Sequence, residues 1–199
     1  MSIDTVLEPN HPDSLDMSVH QLYLDTSSER SPSEPRWVDI PELWTDLDTL
    51  HQQLGMADEK QHVDLSGFPV EYVQLRKHKG QYVTYDRCNG SDVALFLTDS
   101  VLYYKGVHEI FPYSILGEIS KTQDQRVWQV REWYNPGNPS KIDTVTIQRI
   151  SPSVYTVHFS MKDEATKLQY FTPIEHFSDF DRVINHCPTV MVLEYDGFE

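Results

Sequence analysis

The chain has 199 residues, a formal net charge of −15 and an isoelectric point near 4.8. That length suits one domain with a tail and is enough to bury a real core. A field of that sign repels phosphate backbones and anionic lipid, and no basic stripe offsets it. Nucleic acid and membrane surfaces are therefore excluded as partners, and cationic ligands or basic protein patches are favoured.

The two cysteines, Cys88 and Cys187, form no C-x-x-C pair. They suggest neither a disulfide framework nor a zinc site. There is no glycine-rich phosphate loop, no G-x-S-x-G and no H-E-x-x-H. His176 and His186 share one segment at a spacing too wide for one metal, and Glu175 with Asp179 reads as a solvated acidic face. No cofactor and no metal are expected. The N-terminus has no basic region followed by an apolar run, and no window approaches a membrane span, so a cytoplasmic location is expected.

Residues 1–36 are acidic and punctuated by Pro12, Pro32 and Pro35, and they read as a disordered tail. Within them Leu15, Met17, Val19 and Tyr23 alternate with polar residues, which would suit a short docking strand. Residues 37–199 read as a single β-barrel-like domain. It opens with a helix: Asp39 caps, Pro41 takes the first turn, and Leu43, Trp44, Leu47, Leu50 and Leu54 form an apolar stripe ending at Gly55.

Strands follow about every dozen residues, with turn signals between them. Glu71–Arg76 and Gln81–Asp86 flank His78-Lys-Gly80. Val93–Leu97 is fully apolar, as in a strand buried on both faces. Val101–Tyr104 comes next. From Ile115 to Phe171 the pattern predicts an antiparallel meander. Pairing Tyr134 with Asp143 places Val130 opposite Ile147 and Trp128 opposite Arg149. Beyond Ser151-Pro-Ser153, Ile147 pairs with Val157 and Val145 with Phe159. Leu168 and Tyr170 then fall opposite Phe159 and Val157, and upstream Ile119 faces Val130. An odd shift would scatter the apolar residues over both faces.

After the meander, Thr172-Pro-Ile-Glu175 reads as a capping box. Ile174, Phe177, Phe180, Val183, Ile184 and Cys187 stripe a second helix that ends at Pro188. Val190–Leu193 reads as a last strand. The expected fold is mainly all-β: an antiparallel barrel or strongly curved sheet with two flanking helices. From Gly67 to Leu193 this plan resembles the calycins, the lipocalin and fatty-acid-binding-protein class. The lipocalin Gly-x-Trp signature is missing, since Gly67 is followed by Phe68 and Pro69. The resemblance implies a pocket inside the barrel.

The expected rows across the sheet give the candidate residues. Gly117, Glu132, Val145, Phe159 and Leu168 form an apolar row with one carboxylate. Glu132 there is a desolvated functional acid, a residue at a barrel mouth, or a structural partner of Arg149, Lys121 or Arg126. Arg149 opposite Trp128 suits a cation–π contact. Tyr85, Tyr134 and Tyr170 are strand aromatics suited to line a cavity, so Glu132, Trp128, Arg149, Tyr134, Tyr85 and Tyr170 form the predicted ligand-binding set. On the other face Glu118, Arg131, Thr146, His158 and Gln169 read as a polar row. The first functional reading is a non-enzymatic barrel holding a small, partly apolar ligand. The others are an acidic inhibitor or immunity-type module for a basic protein, and a barrel enzyme of lyase or isomerase type using a buried carboxylate.

Overall fold

The computed structural model describes residues 21–26, 61–86, 92–106, 110–132, 143–160, 168–186 and 198–199. Eleven strands carry them: β1 Gln21–Asp25, β2 Glu71–His78, β3 Gln81–Asp86, β4 Ala94–Leu97, β5 Val101–Lys105, β6 Ile110–Lys121, β7 Gln125–Glu132, β8 Asp143–Ser151, β9 Val154–Ser160, β10 Gln169–Pro173 and β11 Asp181–His186. β4 to β10 run as an antiparallel meander, and β2 pairs with both β10 and β4. The result is a closed eight-stranded barrel.

The plan departs from an unbroken meander at β2. Its first half, Glu71 to Leu75, belongs to the barrel wall. Its last residues, Arg76 to His78, pair with β3, which leaves the wall. The turn between them is Lys79-Gly80, with φ of 50° and 79°. Two successive positive φ values suit the right-handed twist of a two-residue hairpin, and glycine takes such a value without a Cβ clash. β11 adds to β3 in parallel, and β1 adds to β11 antiparallel, so a three-stranded flap hangs from β2.

The barrel interior is filled by side chains. Leu95, Ile115, Trp128, Ile147, Val157 and Phe171 belong to one continuous buried cluster. Eight strands enclose a space just wide enough for such filling or for one small ligand. β4 is buried on both faces, as its apolar run predicts.

The pairing of Ile147 with Val157 and of Val145 with Phe159 is as expected, and a register shift between Arg149 and Ser151 lies beside the short turn that joins the strands. β7 and β8 differ from expectation. Trp128 faces Val145, Val130 faces Asp143, and Arg126 faces Ile147. This slip is even, so every side chain keeps its face, and the apolar pattern does not discriminate against it. β6 carries two bulges, between Ile115 and Gly117 and between Glu118 and Ser120. Ile115, not Ile119, faces Val130, and Ile119 is 55% exposed.

β10 is slipped by one residue. Gln169 faces Val157 and Tyr170 faces Thr156, so Phe171 is buried while Leu168 is 51% exposed. Apolar residues stand on both parities of this short segment, and pairing with β2 selects Phe171. The two expected rows do not form, apart from the neighbours Val145–Phe159 and Thr146–His158.

The second expected helix is also corrected. Ile174–Asp179 is a short 3-10 helix, and Asp181–His186 is strand β11. The open edges of β3 and β1 provide backbone partners that a helix would forgo. The helix expected over 39–54, the strand Val190–Leu193, Tyr134 and both cysteines lie outside the described residues.

Of the tail, Gln21–Asp25 docks as β1, and Leu24 packs against the cluster of Val83, Tyr85 and Val183. Removing residues 1–26 should therefore expose the edge of β11 and lower the melting temperature by several degrees, about 1–2 kcal/mol. An unchanged melt would show that β1 adds nothing to the flap.

Candidate functional site

The two ends of the barrel are built differently. At one end segment 61–70 crosses the opening. Gly67, with φ of 77°, turns the chain, and Phe68 enters the core. Arg126 donates from Nη1 to the carbonyls of Thr122 and Gln125 and from Nη2 to Ser66 O, the last at 3.2 Å. Arg149 donates to Gly67 O at 2.6 Å and to the Tyr155 hydroxyl at 2.9 Å. Both guanidinium groups lie over the Phe68 ring, at 4.3 and 5.3 Å. Lys121 adds a 2.6 Å bridge to Asp64. That hydrogen bond and the Ser66 N–H hold the Asp64 carboxyl well below the usual carboxylate range. This end is a strapped plug.

The other end is where β5, β7 and β9 finish and β6, β8 and β10 begin. On inward-facing positions there stand Tyr104, Phe111, Tyr113, Phe159, Glu132 and Asp143. Tyr113 faces Glu132 across β6 and β7. The Phe159 ring lies 5.4 Å from Tyr113 and 5.5 Å from Tyr104, and Tyr104 lies 6.3 Å from Phe111. Tyr104, Phe111 and Glu132 are half-buried, whereas Tyr113 and Phe159 are buried. Gln169 Oε1 accepts from Gln74 Nε2 at 2.7 Å and from the Tyr104 hydroxyl at 3.3 Å. Burial, and then the nearby charges of Glu132 and Asp143, push the Tyr113 hydroxyl above its ordinary pKa. It therefore stays a neutral O–H donor. Asp143 is 3% exposed, and its Oδ1 is buried without a hydrogen-bond partner among the described residues.

The predicted set does not converge on this place. Glu132 belongs to it. Trp128 lies deeper on the same strand and is fully buried. Arg149 is at the plugged end, stacked on Phe68 and Tyr155 instead of Trp128. Tyr85 is in the flap, 4.8 Å from Phe198. Tyr170 is on the outer side, 5.1 Å from Tyr82, with Lys77 Nζ 4.9 Å from its ring. Lys121, Arg126 and Arg149, the cations considered for Glu132, all have other partners at the plugged end.

Sequence reading missed Tyr113 and Asp143 at this site. Both carry the inward parity of their strands, which was the available signal. Among the described residues no group of three or more His, Cys, Asp or Glu could hold a metal ion. No helix among them is long and apolar enough to cross a membrane. No protein-family model, curated protein or solved structure matches the chain.

In the flap, His78 is buried against Phe198, with ring centroids 6.4 Å apart. Burial, reinforced by Lys79, lowers its pKa. The folded state thus binds this proton more weakly than the unfolded chain does. The linked stability is present above the ordinary value of about 6.5 and is lost as pH falls below it. Melting temperatures between neutral and mildly acidic pH should fall more steeply for the wild type than for His78→Gln. Parallel curves would remove His78 from the acid response.

Proposed function

We propose that the protein is a non-enzymatic binding module that holds a small, partly apolar ligand at the aromatic end of the barrel. The observation that carries this reading is the asymmetry of the two ends. One is strapped shut by Arg126, Arg149 and Phe68. The other presents half-buried ring faces beside a few polar groups: the Tyr113 hydroxyl, the Gln169 amide and the Glu132 carboxylate. Apolar walls with a small number of placed polar groups are the usual make-up of a small-molecule site.

Native mass spectrometry of protein purified from its own host tests this. A retained small mass is expected on the wild type. It should be lost from Tyr104→Ala/Phe111→Ala, whose two rings are half-buried and pack against the edge of the buried cluster. Bare wild-type protein, or a mass retained equally by the variant, would overturn the assignment.

A further inference from the structure

Resting on the ligand-binding reading, we infer that the aromatic end selects a protonated amine carrying an apolar or aromatic group. Four observations converge on a positive charge. Asp143 stands at an inward position of β8, beside Val130, almost wholly removed from water. Its Oδ1 has no hydrogen-bond partner among the described residues. A buried carboxylate oxygen left unpaired is costly, and a cation supplied by a ligand would offset that cost.

Glu132 is the second observation. It occupies the next inward position beyond Val130, opposite Tyr113, and is only half-buried. Entering from that end, an ammonium group would meet Glu132 first and Asp143 deeper in. The third is the wall. Tyr104, Phe111, Tyr113 and Phe159 pack ring against ring at this end, and Tyr113 stands opposite Glu132. Aromatic faces attract organic cations, and most strongly where water is excluded. The fourth is the chain's charge of −15, which draws cations toward any opening.

Among the described residues, the nearby basic side chains do not take this role within the barrel. Lys105 and Arg131 occupy outward positions of β5 and β7, opposite in parity to Tyr104 and Glu132, and have partners of their own. A divalent metal is a poorer match, since two carboxylates among rings offer too few oxygen ligands.

Phenethylamine and phenethyl alcohol have nearly the same size and the same ring, and differ in charge. Calorimetric titration of the full chain with each at neutral pH tests the inference. The amine should bind about tenfold or more tightly than the alcohol. That preference should shrink to about twofold or less in Asp143→Asn and in Glu132→Gln. Melting curves of both variants should match or exceed the wild type, since each removes a carboxylate from among rings. Should Asp143→Asn fail to fold, the half-buried Glu132→Gln carries the test. Equal binding of amine and alcohol would overturn the charge inference and leave the small-ligand reading standing. Binding of neither would overturn both. An amine preference that survives both substitutions would place the cation elsewhere and overturn the inference.

Discussion

Replacing Trp128 by alanine should destabilise the protein by about 3–5 kcal/mol. Trp128 has no exposed surface and is the largest side chain of the barrel interior. It sits opposite Val145, which in turn faces Phe159. The loss has two parts: the transfer of the indole surface and the cavity left behind. Every barrel strand is hydrogen-bonded on both edges, so the wall has little freedom to collapse into the gap. Against a typical total of about 5–15 kcal/mol, this is a large fraction. Trp128→Phe should cost far less than its lost volume suggests. The indole Nε1 is buried without a partner among the described residues, and phenylalanine removes that unsatisfied donor. Urea unfolding followed by circular dichroism measures both variants. An alanine cost under about 1 kcal/mol would mean that the interior is not packed around this residue.

Arg126→Ala should cost about 2–4 kcal/mol and loosen segment 61–70 ahead of the barrel. Arg126 is 3% exposed. Its charge is met by the carbonyls of Thr122, Gln125 and Ser66 and by the Phe68 ring. Truncation takes these donors from the carbonyls of Thr122 and Ser66, leaves Gln125 O with the Thr122 N–H alone, and removes the strap over Phe68. Arg126→Lys should recover only a minor part, because an ammonium is a point charge and cannot reproduce a planar fork reaching three carbonyls. Hydrogen exchange localises the effect. The amides of Gln61 and Val63, bonded to Ile115 O and Asp99 O, should lose protection before those of β8 and β9. A neutral lysine variant would show that the fork geometry is not what holds the plug.

The antiparallel succession of β6 to β9 and the inward parity of β7, β8 and β9 are legible in the residues alone. Alternation with period two is a local property, and short turns such as Ser151 to Val154 transmit register without tertiary help. Glu132 was legible as an inward carboxylate for the same reason, and its parity survived the even slip of β7 against β8. The slip itself was not legible. The long connection from Glu132 to Asp143 imposes no register, and an even shift costs nothing in face pattern. β6 is shifted as well, and its register places Glu132 opposite Tyr113, where Gly117 was expected.

Other choices were also made by neighbours. Leu168 and Phe171 lie on opposite parities of one short segment, and the edge of β2 drew Phe171 inward. The spacing of Ile174, Phe177, Phe180 and Val183 fits a helix, yet the free edge of β3 turned its second half into β11. The candidate site depends most on such long-range decisions. Tyr104, Tyr113, Asp143 and Gln169 come from four strands. Only a sheet closed on itself brings ring faces, a neutral hydroxyl and an unpaired carboxylate oxygen to one end. Parity is written residue by residue, but proximity across a barrel is set by which edges find each other.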